Sequence, residues 1–290
     1  MPVLRRPQPL GRYAGMFGQV VAVAGGAGKT STSALLATIL AATSWRPTVY
    51  LGARCPNLDG RNYLPGSRRL LIAEADEYMD AFLDLPRHIG ILGPVMNYDH
   101  RDYFMSGQDV TDAFTAFAAD LALAVADADC PAALQAARAA RRVITVGRNP
   151  DADYRITSIQ AALGTWRIVD RQGRTVLALR TPHRGPALWL NASRAAIAAL
   201  ELGVAAPVIQ DGVTAYRGVS RRLELRHSGN GVLMLDDYAH NPAQIGALAE
   251  ALRGYYPQRR LIAVFEPRQH RRTAMYYARL LYTSDAADDL

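Results

Sequence analysis

The sequence predicts an α/β fold: a parallel sheet flanked by helices around a phosphate-binding loop, with a small antiparallel elaboration and a second, shorter α/β domain. Three observations carry this. Residues 19–24 (QVVAVA) form a nearly all-apolar run, as expected of a parallel strand buried on both faces. A glycine-rich break at Gly25 to Gly28 follows at once. Residues 30–42 then place apolar side chains at helical spacing, giving strand, loop and helix in that order.

The remaining elements extend the pattern. Residues 70–73 and 89–92 are further apolar strands, and residues 110–126, rich in Ala and Phe, predict one long helix. Strands alternating with helices imply a parallel sheet covered by helices. Residues 143–146, 155–160, 165–169 and 175–179 are short β-rich segments separated by turn residues such as Gly147, Asn149, Pro150 and Gly173. They predict the antiparallel elaboration. Residues 191–202 read as a helix rich in small side chains. Strands at 223–226 and 232–235 flank a Ser-Gly-Asn-Gly turn. A strand–helix–strand unit over 232–235, 242–253 and 261–265 then predicts a truncated Rossmann-like domain. The domain boundary is expected near Arg226.

At 290 residues, half of them hydrophobic and a fifth charged, the composition is globular and suits about two domains of roughly 150 residues each. No apolar run is long enough to span a bilayer. Arg5 and Arg6 are followed by Pro7 and Pro9, not by the apolar stretch of a signal peptide. Cys55 and Cys130 lack metal-ligand spacing and give no disulfide framework. A cytoplasmic protein is expected, with no membrane partner. The net charge of +7 comes from scattered arginines without interleaved aromatics, so no nucleic-acid partner is expected. Lys29 is the only lysine among 33 basic residues. A compact ammonium fits inside a phosphate-binding loop where a planar guanidinium fits poorly.

Gly25-Gly26-Ala27-Gly28-Lys29-Thr30 matches GxxGK[ST]; Val23 stands where the longer pattern has its first glycine. Backbone N–H groups of such a loop and the following helix N-terminus attract anions. Lys29 would reach the β- and γ-phosphates and the Thr30 hydroxyl would hold Mg²⁺. Glu74-Ala75-Asp76-Glu77 follows an apolar strand, and so lies at the sheet edge where open α/β sheets bind ligands. It reads either as a solvated acidic turn or as magnesium ligands, and the nearby loop favours the second. Asp99-His100-Arg101-Asp102 could ligate a metal, orient a phosphate or simply be solvated. The paired Arg221 and Arg222 could clamp phosphate or form a basic turn. In the run 236–242, Asn241 is expected to cap a helix starting at Pro242.

These strings in this order resemble the Mur ligase family, ATP-dependent enzymes that add amino acids to the bacterial cell-wall precursor. The resemblance covers most of residues 1–279. EADEY (74–78) with Ala81-Phe82-Leu83, then GVSRRLELR (218–226), LDDYAHNP (235–242) and AVFEP (263–267), are similar to the alanine-adding branch and to the murein-tripeptide recycling branch. The resemblance implies that ATP and Mg²⁺ are used. A UDP-linked muramic acid carboxylate would be activated as an acyl phosphate, and an amino acid, L-alanine by preference, would be joined as an amide. It implies nucleotide contacts from Gly25, Gly26, Ala27, Gly28, Lys29, Thr30, Ser31, Asn191, Arg222, Asp237 and His240. It implies magnesium at Thr30, Glu74 and His100, and catalytic roles for Lys29, Glu74, His100 and Arg222.

The chain departs from the family pattern in places. Gly26 and Ala27 stand for the usual Thr and His, Pro94-Val95 for Thr-Asn, and the adenine-side motif His-Asn-x-x-Asn keeps only Asn191 in Ala187-Leu188-Trp189-Leu190-Asn191. The open alternatives are the recycling ligase, a folylpolyglutamate-synthetase-like enzyme and a diverged nucleotide-binding paralogue. The expected organisation is a linker remnant at 1–15, a central ATP-binding domain at 16–226, a partial C-terminal domain at 227–280 and a non-native tail at 281–290 resembling translated sequencing adapter. A chain without the UDP-binding domain is expected to be inactive alone.

Overall fold

A computed structural model describes residues 7–96, 103–160, 163–183, 187–267, 273–274 and 277. The chain divides into two compact units, one running through Ser220 and the other from Arg221. The division therefore falls before Arg226, the boundary expected from sequence.

The first unit contains α1 (Pro7–Ala14), β1 (Gln19–Ala24), α2 (Lys29–Ala41), β2 (Pro47–Cys55), β3 (Arg61–Leu64), β4 (Ser67–Glu74) and β5 (Ile89–Leu92). It continues with α3 (Gly107–Ala119), β6 (Leu123–Asp127), α4 (Pro131–Ala137), β7 (Val143–Gly147), β8 (Tyr154–Gln160), β9 (Thr165–Asp170), β10 (Thr175–Arg180), α5 (Leu188–Glu201) and α6 (Ala206–Ala215). The ten strands form one sheet in the order β10-β9-β8-β7-β6-β5-β1-β4-β2-β3. From β8 through β2 neighbouring strands run parallel, while β9, β10 and β3 are antiparallel additions.

Alternation along β1 explains the two cores. Successive side chains on a strand point to opposite faces. Val21 and Val23 enter a core built with Leu35 and Ile39 of α2, Ala195 of α5 and Ile209 of α6. Val20, Ala22 and Ala24 enter the opposite core with Phe114 and Phe117 of α3 and Ala133 of α4. With both faces covered, β1 can be apolar throughout, and it lies inside the sheet between β4 and β5. Its C-terminal end, where the chain turns into α2, is the natural ligand edge.

Several expectations are corrected. Residues 110–126 are not one helix: α3 ends at Ala119 and β6 begins at Leu123. An apolar Ala-rich run fits a helix and a doubly buried strand equally well, and all five residues of β6 are buried. The segment at 143–146 belongs to the parallel sheet as β7, paired in parallel with both β6 and β8, and the antiparallel part starts only at β9. Ahead of β1, within the stretch expected as an interdomain linker, α1 packs its fully buried Ala14 into the second core, which neither supports nor excludes that expectation.

Arg87 ties the second core together. It is 8 % exposed, its Nε donates to Phe117 O at 2.7 Å, Nη1 to Leu83 and Leu85 O at 3.1 Å each, and Nη2 to Ala116 O at 3.3 Å and Asp120 at 2.7 Å. Burial lowers the pKa of its guanidinium and the Asp120 charge opposes that.

The second unit holds a hairpin of β11 (Glu224–Gly229) and β12 (Val232–Asp236), then α7 (Pro242–Tyr255). Asn230 and Gly231 turn the hairpin with φ of 49° and 76°, as a two-residue loop with both centres left-handed requires. Asn241 caps α7 by accepting from Gln244 N at 2.9 Å, with Pro242 in the first turn. The strand expected at 261–265 is absent. That segment has no ladder neighbour among the described residues, and Ile262 and Val264 are exposed. The proposed tail at 281–290 lies outside the described residues. Among the described residues no helix is long and apolar enough to cross a membrane.

Candidate functional site

The glycine-rich loop follows β1 directly. Gly25 has φ of +141°, and a Cβ there would fall 2.9 Å from the Gly93 Cα, so the loop lies against the chain leaving β5. Gly93 N donates to Ala24 O and Gly26 N to Pro94 O, each at 2.8 Å. A Cβ at Gly26 would meet the Met96 side chain at 2.8 Å. Gly26 therefore packs on the segment that follows β5, and a side chain at 26 would require Met96 to shift. Gly28 precedes α2 in the left-handed region, φ 80° and ψ 0°, and no side chain caps that helix start. Uncapped first-turn N–H groups carry the partial positive charge of the helix and suit an anion. Ala27 and Ser31 flank this turn, both partly exposed.

The acidic string after β4 divides its work. Glu74 accepts from the Thr30 hydroxyl at 2.9 Å through Oε2 and from Gly52 N at 2.5 Å through Oε1. Glu77, 3 % exposed, takes the Lys29 ammonium at 2.6 Å. Asp76 is exposed and accepts from Tyr78 N. Burial acts to lower the Lys29 pKa, but the carboxylates of Glu77, Asp76 and Glu74 outweigh it and the net shift is upward. Lys29 is thus a charged group held at the mouth of the loop.

Asn191 reaches the loop from α5. It is 5 % exposed, and a Cβ on Gly28 would lie 2.4 Å from its Oδ1. Sequence reading thus named residues that meet in space: Gly25, Gly26, Ala27, Gly28, Lys29, Thr30, Ser31, Glu74 and Asn191. It missed the role of Glu77 as the lysine's partner, the Gly52 amide on Glu74, and Arg194, which donates to Asn191 Oδ1 at 2.7 Å. The EADE string did signal Glu77, whereas nothing local signalled Arg194. His100 lies outside the described residues.

The second unit collects the other three candidates around Tyr238. The guanidinium groups of Arg221 and Arg222 lie 4.7 and 5.3 Å from the Tyr238 ring centre, within cation–π range. Asp237 accepts from Leu223 N and Ala239 N, each at 2.8 Å. The His240 ring nitrogen Nδ1 is 2.8 Å from Tyr238 O. Arg222, Asp237 and His240 thus share one small cluster.

A magnesium–nucleotide pair fits the first unit. Among the described residues no group of three or more His, Cys, Asp or Glu side chains is gathered. Mg²⁺ does not need one, since it takes one or two protein oxygens and completes its shell with phosphate and water. The Thr30 hydroxyl and Glu74 carboxylate supply such oxygens beside the loop.

The family described as Mur ligase, glutamate ligase domain, matches residues 221–289. A UDP-N-acetylmuramate–L-alanine ligase of Arthrobacter sp. strain FB24 is 35 % identical over 99 % of this chain and 62 % of its own length. The enzyme of that name from Solidesulfovibrio magneticus is 33 % identical over 93 % and 60 %. The chain thus spans about six-tenths of the curated relatives it matches. Among solved structures, the UDP-N-acetylmuramate–alanine ligase of Thermotoga maritima superposes with a TM-score of 0.78 at 22 % identity, over 93 % of this chain and 61 % of that one. A murein peptide ligase from Psychrobacter arcticus gives 0.71, also at 22 %, over 91 % and 60 %. Through nearly its whole length the chain is similar to named Mur ligases and shares their fold, and its residues 221–289 match that family's glutamate ligase domain.

Proposed function

We propose that this chain carries the ATP-using part of an amide ligase of peptidoglycan-precursor synthesis, one that joins L-alanine to UDP-N-acetylmuramate through an acyl phosphate. The observation that supports it best is the pairing of Lys29 with Glu77 and of Thr30 with Glu74 beside the loop at the end of β1, in a chain 35 % identical to an alanine-adding ligase. Loop amides and the Lys29 ammonium would hold the phosphates. Thr30 and Glu74 would hold Mg²⁺, which supplies charge neutralisation where negative charge develops. Asn191 would press on the loop from α5. Arg222, Asp237 and His240 in the second unit, with His100, are proposed as the remaining nucleotide and magnesium contacts. The recycling reaction, with a tripeptide in place of alanine, is the second reading. It is favoured by Glu266-Pro267-Arg268 in the sequence.

The test is calorimetric titration of Mg-ATP into the chain and into Lys29→Ala. Measurable binding that weakens at least tenfold in the variant, the loss expected on removing a charge-assisted contact, supports the site. Equal, negligible binding by both sinks it. In a protein that carries this chain together with a UDP-binding domain, phosphate release that requires UDP-N-acetylmuramate with L-alanine, compared with release that requires the tripeptide, decides between the two reactions.

A further inference from the structure

Behind the phosphate loop lies a buried chain of polar groups that the loop motif does not include. Asp127, the last residue of β6, and Arg194, one turn into α5 beyond Asn191, are 4 % and 1 % exposed. Arg194 Nη1 meets Asp127 Oδ2 at 2.5 Å, and Nη2 donates to Asn191 Oδ1 at 2.7 Å. Asn191 in turn seats against Gly28, at the start of α2. Asp127 Oδ1 is itself fixed by the Asp129 amide at 3.0 Å. The contacts run without a break from the C-terminal end of β6 to the residue before Lys29.

Packing alone does not account for this pair. A buried ion pair is a weak stabiliser, because desolvation of both charges offsets their attraction. Arg194 is a costly choice even so, since its buried Nε has no hydrogen-bond partner among the described residues. Its neighbours on α5, Ala192, Ala195, Ala196, Ala198 and Ala199, show what the packing needs: small apolar side chains, all fully buried. What the guanidinium adds is direction. By donating to Asn191 Oδ1, the atom that lies nearest Gly28, it fixes the orientation of the amide that seats against the loop.

We propose that Arg194 and Asp127 are positioning residues, which hold Asn191 against Gly28 and so set the shape of the phosphate loop for nucleotide. This rests on the reading of the loop as a nucleotide site.

The experiment compares the wild-type chain with Asp127→Leu/Arg194→Met, which removes both charges at similar volume and leaves no lone buried ion, and with Asn191→Ala, which keeps the pair but cuts its contact to the loop. Two quantities are read: amide hydrogen exchange of residues 25–31 in the free chain, and affinity for a non-hydrolysable ATP analogue with magnesium. Both variants should speed loop exchange about tenfold and weaken the analogue about tenfold, as the loss of a charge-assisted hydrogen bond predicts, with exchange in β1 and β5 unchanged. Unchanged loop exchange in Asn191→Ala overturns the proposal, even if the double variant fails to fold. So does faster loop exchange with unaltered affinity. If the wild-type chain does not bind the analogue, the nucleotide reading fails, and loop exchange alone then decides whether the pair positions the loop.

Discussion

The Lys29 ammonium sits 2.6 Å from a Glu77 carboxylate 48 residues away in sequence, and that carboxylate is nearly closed off from solvent. The lysine expected to bind phosphate therefore also neutralises a buried acid. Lys29→Ala should lose nucleotide binding and about 3 kcal/mol of stability, because Glu77 is left buried without its counter-charge. Adding Glu77→Gln should restore most of the stability and none of the binding. Urea unfolding beside calorimetry separates the two roles, and a double variant that stays unstable contradicts the assignment.

Gly28 answers to two demands at once, a left-handed backbone and the nearness of Asn191. Gly173 has nearly the same φ, 79°, but nothing within 4 Å of the position its Cβ would take. Gly173→Ala should cost about 1 kcal/mol, the backbone penalty alone. Gly28→Ala should cost at least about twice as much, with the excess reduced in Gly28→Ala/Asn191→Ala. Equal costs in urea unfolding would show that the Asn191 contact yields freely.

Arg87→Lys keeps the charge of a residue whose hydrogen bonds go mainly to carbonyls from the 3-10 turn after β4 and from α3. A single ammonium cannot reach that fork of acceptors. Loss of about 2–3 kcal/mol in urea is expected, most of it from carbonyls left unsatisfied.

His183 packs its edge against Tyr216, ring centres 5.6 Å apart. Burial, and then the Arg217 charge, hold its imidazole pKa below the usual value. Above about pH 6.5, the ordinary histidine value, both folded and unfolded chains carry it neutral and stability is complete. As pH falls below that, the unfolded chain takes up the proton first, and stability is lost until the folded histidine also protonates. Melting temperatures across this window should fall more steeply for the wild type than for His183→Gln. Parallel profiles would remove His183 as the cause.

The parts legible in the sequence were those encoded locally. QVVAVA, the glycines and Lys29-Thr30 lie side by side in the chain, and Glu74 follows its strand at once, so pattern and spacing sufficed. β6 was hidden because its apolar run continues the composition of α3, and only burial on both faces distinguishes strand from helix there. The pairing of Asp127 with Arg194 spans 67 residues and joins a strand end to a helix interior. No local pattern signals it, since each residue alone reads as an ordinary surface charge. The missing strand at 261–265 shows the converse: residues with strand propensity form no ladder without a neighbour.

That one lysine serves the whole chain gives the loop a chemical address. Besides the α-amine, Lys29 Nζ is the one aliphatic amine in the sequence, and it sits inside the candidate site rather than on the general surface. An amine-directed acylating reagent therefore distinguishes loop from terminus by a single mass increment on one peptide. The extent of that labelling, followed over time, reads how often Glu77 releases its partner.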